Sequence, residues 1–191
     1  MKSWPVVIVD KELILRPFRY RDRSQWNEVR RINAEWLAPW EATRPALDSD
    51  NPLPTFYQMI RYYNREAREL RSISLGIWLK SQSGEQFIGQ ITLGGLVFGA
   101  YRGGHIGYWI DQRYANRGYA TRSVQVLTDF AFTELNLHRV EINLRPENLA
   151  SRKVAEKSGY YYEGLRPRYL HIAGDWRDHL TFVHENPNNF N

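Results

Sequence analysis

QRYANRGYATRSV, residues 112–124, sets one glycine, Gly118, into a run that otherwise begins to read as a helix, with Arg113 and Arg117 before it and the small Ala120 after it. The stretch follows a β-rich segment, GGHIGYWID (Gly103 to Asp111), and opens a helix whose Val124, Leu127 and Ala131 share one face. A helix N-terminus presents unpaired N–H groups and the positive end of the helix dipole, and a residue without a Cβ lets a ligand approach the main chain. The stretch therefore offers an anion site, with the amides from Asn116 to Thr121 as a floor for a diphosphate and two arginines beside it. An ordinary turn before a helix has the same spacing, so the neighbouring segments must decide.

Downstream, HRVEINL (His138 to Leu144) reads as a strand and is followed by a short helix from Ala150 to Lys157. A helix joining two parallel strands is the right-handed crossover unit. SISLGIWLK (Ser72 to Lys80), the turn SQSGE and QFIGQITLGGLVF (Gln86 to Phe98) read as an antiparallel hairpin, and the segment from Tyr160 to Glu185 reads as a last pair of strands turning at Ala173, Gly174 and Asp175. The sheet is thus mixed. Nearer the start, VVIVDKELILRPF (Val6 to Phe18) is a first strand or two short ones. Asp22 and Gln25 have capping-box spacing ahead of a helix carrying Trp26, Val29 and Ile32. A second helix from Thr55 stacks Phe56, Met59, Ile60, Tyr63, Ala67 and Leu70. Trp36 to Phe56, between them, holds four prolines and reads as a long ordered loop or a short broken helix.

The chain has 191 residues, 42% of them apolar, enough for one sizeable core, and shows no repeat or linker, so residues 1–191 are expected to form one domain. The net charge of +5 and a pI near 9.5 suit an acidic ligand, an acidic partner or nucleic acid. There is no cysteine, which excludes thiol nucleophiles, thiolate metal sites and disulfides; no metal is expected. With no long apolar run and no cationic leader, a cytoplasmic protein without membrane contact is expected. The basic helix from Arg19 to Arg31 reads as a solvated face rather than a nucleic-acid module.

RPENLASRKVAEKSGYYYEG (Arg145 to Gly164) completes a run from Gly103 that resembles the acetyl-CoA-binding half of the GNAT N-acetyltransferase superfamily. The superfamily pattern is Gln/Arg-x-x-Gly-x-Gly/Ala, and this chain has Ala115, Gly118 and Ala120 in those places, losing one side-chain contact while keeping the backbone cradle. Asn148-x-x-Ser151 followed by EKSGYYYEG resembles the branch that includes the ribosomal-protein-alanine acetyltransferases. EWLAPWEATRP (Glu35 to Pro45) and LRPRYLHIAGDWRDH (Leu165 to His179) resemble that branch's substrate-side loop and last hairpin.

The resemblance implies an α/β (α+β) fold, a mixed sheet of about seven strands flanked by helices, whose parallel fourth and fifth strands splay apart. Acetyl-CoA would lay its pantetheine arm in the gap against Trp109, Ile110 and Asp111, and its pyrophosphate on Arg113, Asn116, Arg117, Gly118, Tyr119, Ala120 and Thr121. Asn148 would orient the cofactor through its amide. The reaction implied is direct acetyl transfer to an amine. The Tyr that many members place four residues before the Gly of the next motif is Ala155 here; the resemblance to the ribosomal-protein-alanine branch implies instead that Ser151 of its Asn-x-x-Ser pattern, beside the sulfur, is the proton donor, and a helix-capping hydroxyl is the competing reading.

Candidate bases are Glu41 in the substrate-side loop, His105 and Glu141, each also readable as a loop acid, a strand-end histidine or a charge paired with Arg139. The acceptor implied is a protein N-terminus of the ribosomal type; a small amine such as an antibiotic or polyamine, and a non-catalytic acyl-CoA-binding role, remain open. An open cleft between Trp36–Pro45 and Leu165–His179 would suit a peptide, and a closed acidic pocket a cationic small molecule. Trp36, Trp40, Trp109 and Trp176 either wall that cleft or pack.

Overall fold

In the computed structural model, which describes residues 4–45, 53–82 and 84–188, the apolar run before Phe18 divides into β1 (Ile8–Asp10) and β2 (Leu13–Arg16). Lys11, at φ 54°, turns the chain between them. β3 (Ile73–Ser81) and β4 (Gly84–Val97) form the expected hairpin, and β5 (Gly103–Ile110) returns along β4. Helix α4 (Tyr119–Thr133) leads to β6 (Arg139–Leu144), α5 (Leu149–Lys157) to β7 (Tyr161–Ile172), and the turn at Ala173 and Gly174 to β8 (Asp175–Glu185). These eight strands make one sheet in the order β1-β2-β3-β4-β5-β6-β8-β7. The count exceeds the expected seven because the first apolar run supplies two.

Every neighbouring pair is antiparallel except β5 and β6, which run parallel as expected. Their pairing covers only Gly103–His105 against Arg139–Glu141. Beyond it each strand follows its outer partner, β5 along β4 to Ile110 and β6 along β8 to Leu144, and a gap opens between them.

Helices cover both faces. Val124, Leu127 and Ala131 of α4 are fully buried against Ile106, Val140 and Ile142, so truncating Leu127 to Ala should cost about 2–5 kcal/mol. On the other face α1 (Arg23–Ile32) and α3 (Phe56–Arg68) pack Val29, Phe56, Met59 and Ile60 over Trp78 and Phe87. Thr55 caps α3, exchanging bonds with Gln58.

The start of α1 departs from the expected capping box. The buried Asp22 carboxylate accepts from the Arg16 guanidinium (2.7 and 3.1 Å) and from the Arg19 amide (2.7 Å), while Gln25 reaches across to the Phe87 amide (2.9 Å) and the Glu85 carbonyl (3.2 Å). Asp22 is claimed by residues preceding it and Gln25 by the distant β4, so the local pair does not form. The proline-rich segment begins as a short helix, α2 (Ala34–Leu37), and a 3-10 turn (Ala38–Trp40); its later part, 46–52, lies outside the described residues.

Candidate active site

The gap between β5 and β6 is floored by main chain. The Asp111 N–H donates to the Ile88 carbonyl of β4 (2.7 Å), so by strand alternation Trp109 also faces β4, while Tyr108 and Ile110 turn their N–H and C=O groups toward the gap. Of the three strand residues expected to meet the pantetheine arm, Ile110 directs its main chain toward the gap, as Tyr108 does, whereas Trp109 and Asp111 direct theirs toward β4.

Asp111 has no exposed surface. Its carboxylate accepts from the Arg113 amide (3.0 Å), Nε and Nη2 (2.6 Å), and its carbonyl from the Tyr114 amide. Burial alone would raise its pKa, but the Arg113 and Asn33 hydrogen bonds and the Arg113 charge hold it below the usual carboxylate range. Asp111 therefore shapes the loop, and the charge of Arg113 is already matched. Arg117, its guanidinium 5.3 Å from the Tyr114 ring centroid, is the cation left beside the glycine. Asn33, at the end of α1, fixes the same loop by accepting from the Gln112 amide (2.8 Å).

Gly118 stands immediately before α4 at φ 81°, and Asn116 at φ 60° shares the left-handed region. A Cβ on Gly118 would meet nothing within 4 Å, so the glycine serves a conformation and an open surface rather than a crowded one. No side chain caps this end of α4, and the first-turn amides of Tyr119, Ala120 and Thr121 lie at the positive end of the dipole. An open, uncapped helix end fits a pyrophosphate.

On the far side of the gap, Asn148 caps α5, its Oδ1 accepting from the Ser151 amide (3.0 Å). The Ser151 hydroxyl is thereby freed from the capping role that competed for it. It meets the Tyr108 hydroxyl at 2.8 Å. Burial pushes the Tyr108 phenol far above its ordinary pKa, the Ser151 bond offsetting only part of that, so Tyr108 remains protonated at any physiological pH. Tyr108 escaped the sequence pattern because its strand face reads Ile106, Tyr108, Ile110; an aromatic with a polar tip in an apolar stripe, needing a partner, was the signal.

The three candidate bases diverge. Glu141 is 5% exposed and accepts from Arg139 (3.0 Å), Tyr101 (3.2 Å) and Arg166 (2.8 Å). Burial would raise its pKa, yet the Arg139 bond and the Arg166 and Arg139 charges keep it low. It is a saturated anion and a poor base. His105 lies where β5 and β6 part; enclosure of its ring lowers its pKa, with Glu141 opposing and Arg166 adding, so it is neutral at pH 7. Glu41 forms an ion pair with Arg30, whose guanidinium lies 5.3 Å from the Trp109 ring centroid.

The loop carrying Glu41 crosses the gap. Arg30 ties it to the end of β5, while at the end of β6 Arg145 donates to the Pro39 carbonyl (2.9 Å) and sits over Trp40 (5.5 Å). Ala42 bridges Ile172, and Thr43 bonds His171 and Gly174. Loop and hairpin are thus joined at 41–43 and 171–174 rather than separated by an open cleft there. Trp109 packs edge-on against Phe87 (5.6 Å); Trp36, Trp40 and Trp176, the last beside His171 (5.5 Å), keep exposed faces. Among the described residues no cluster of three or more His, Asp or Glu could hold a metal, and no helix is long and apolar enough to cross a membrane.

Residues 12–161 match the acetyltransferase (GNAT) domain family. Among solved structures, the chain is similar to Mycobacterium smegmatis RimJ in complex with CoA-disulfide, at 32% identity and a TM-score of 0.86, over 98% of this chain and 91% of that one. Among curated proteins, it is 28% identical to the probable N-acetyltransferase YjcK of Bacillus subtilis over 93% of this chain and 96% of the relative. It is 24% identical to the [ribosomal protein uS5]-alanine N-acetyltransferase of Escherichia coli over 92% and 88%.

Proposed function

The chain belongs to the GNAT acetyltransferase family, and from that premise we propose that it acetylates the α-amino group of a protein N-terminus, using acetyl-CoA. One observation carries this reading: among the described residues, both carboxylates considered as bases are committed to arginines. Glu141 is saturated by Arg139, Arg166 and Tyr101, Glu41 is paired with Arg30, and His105 is a weak neutral base. An α-amine, with a pKa of about 7.7–8.0, is appreciably neutral at cellular pH, whereas a lysine near 10.4 needs about 4 kcal/mol of help. The pairing of these carboxylates with arginines also leaves little to attract a polyamine. The uS5-alanine and RimJ relatives act in the same direction as this argument.

Acetyl-CoA supplies an activated thioester. The first-turn amides after Gly118 would hold its pyrophosphate, and the Tyr108 and Ile110 main chain its pantetheine amides. The amine nitrogen forms the new C–N bond as the C–S bond breaks; the proton lost by nitrogen equals the one gained by sulfur, so no outside acid is consumed. Ser151 donates a hydrogen bond to the sulfur as negative charge develops there. Asn148 acts by fixing the first turn of α5, and Glu41 by anchoring the loop through Arg30, not as a base.

A thiol-release screen with acetyl-CoA tests the acceptor. Peptides beginning with free Ala or Ser should outperform the same peptides blocked at the N-terminus and carrying Lys, and should outperform spermidine. Preference for the internal lysine or the polyamine would overturn the assignment.

A further inference from the structure

From the β5 side the Tyr108 hydroxyl reaches Ser151, at 2.8 Å from its Oγ and 3.2 Å from its carbonyl oxygen. Ser151 sits in the first turn of α5, held there by Asn148, and Tyr108 sits at the centre of the diverging strand, so the contact spans the gap's inner wall. We propose that Tyr108 is a positioning residue for the transfer step: its hydroxyl, within hydrogen-bond reach of both the Ser151 carbonyl and the Ser151 Oγ, holds the serine side chain in one rotamer.

The hydrogens of the pair can be arranged in two ways, the phenol donating to the Oγ, or to the Ser151 carbonyl while the serine donates to the phenol, and both hold the Oγ in place. A serine hydroxyl has one hydrogen and two lone pairs, and a phenol likewise carries one hydrogen. Burial keeps Tyr108 protonated, so the pair holds two hydrogens. If Tyr108 fills one lone pair of the Oγ, the serine hydrogen is left for a second acceptor, and a hydroxyl that accepts a hydrogen bond donates a stronger one. Without the phenol, the Ser151 hydroxyl could rotate toward the carbonyls at the start of its own helix, as serines in first turns readily do. Tyr108 touches neither the amine nor the thioester through this hydroxyl, and no covalent bond to it is made or broken.

The inference rests on Ser151 acting at the sulfur, and a double-mutant cycle separates the two ideas. With the best acceptor from the screen above, Tyr108→Phe should slow single-turnover transfer about 3- to 30-fold while the CoA dissociation constant stays within about twofold. In a Ser151→Ala background the same change should have less than about a twofold effect. An equal loss in both backgrounds, or no loss in the first, would overturn the positioning role. Loss of the Ser151→Ala effect itself would instead remove the acid reading on which it rests.

A readout without turnover accompanies the cycle. With 3-fluorotyrosine introduced at position 108 of the ligand-free protein, the 19F resonance should move between Ser151 and Ser151→Ala, and transfer should be retained because the phenol is retained. An unmoved resonance would contradict the hydrogen bond. Should Tyr108→Phe fail to fold, a series of ring-fluorinated tyrosines at 108 keeps the packing; a transfer rate indifferent to phenol acidity would overturn the proposal.

Discussion

The two halves of the candidate site are made of different material. On the side proposed to hold the cofactor the available surface is main chain: the uncapped first turn of α4, opened by Gly118 at φ 81°, and the gap-facing amides of Tyr108 and Ile110. On the acceptor side it is side chain, a loop strapped across the gap by Arg30–Glu41, Arg145–Pro39 and Thr43–His171. Backbone sites depend on conformation and tolerate changes of side chain. Side-chain sites depend on particular partners distant in sequence, and their chemistry can be retuned without touching the fold.

The largest expected effect falls on the backbone half. CoA should raise the melting temperature of the protein with the logarithm of its concentration, and Gly118→Asp should abolish the shift, combining a strained φ with a charge facing the phosphates. Gly118→Asn, which tolerates the left-handed region, should bind more weakly than wild type yet retain a shift. An unchanged shift in Gly118→Asp would break the assignment of the cradle.

Charge comes next. The folded-state pKa of Glu141 is depressed, so its contribution is fully present above the unfolded value of about 4.3 and is lost as pH falls through the folded one. Glu141→Gln should therefore cost about 1.5–3 kcal/mol in urea unfolding at pH 7, with the difference shrinking below pH ~4. A cost that grows on acidification would contradict the pairing with Arg139 and Arg166. Asn148→Ala should cost about 1 kcal/mol in the same assay, the usual value of a helix cap.

The smallest effect sharpens the acceptor half. Glu41→Gln should leave kcat within about threefold, since the glutamine can still bond Arg30, and should raise the acceptor KM modestly. A hundredfold loss of kcat would make Glu41 the base after all.

What the sequence disclosed follows the same division. The α4 stripe, the β3–β4 and β7–β8 hairpins and the Gly118 turn are local, set by periodicity and by φ, and each lies where the pattern put it. The Asp22–Gln25 box did not form because Arg16 and β4 offered better partners. Strand membership of Trp109 and Asp111 can be read from a sequence while the direction of each peptide cannot; that requires the register with β4. Arg113 looked like a free cation until the buried carboxylate two residues earlier claimed it. Two of the strap's three contacts, Arg145–Pro39 and Thr43–His171, join segments 106 and 128 positions apart, and no local signal encodes them.

Ser151 stands where the halves meet, and single-turnover acetyl transfer by Ser151→Ala tests the account most directly. With the CoA dissociation constant and urea midpoint measured on the same protein, transfer should fall about ten- to a thousandfold while CoA affinity stays within a fewfold. Normal transfer with an unfolding free energy lowered by about 1 kcal/mol would contradict the account and make Ser151 a structural residue of α5.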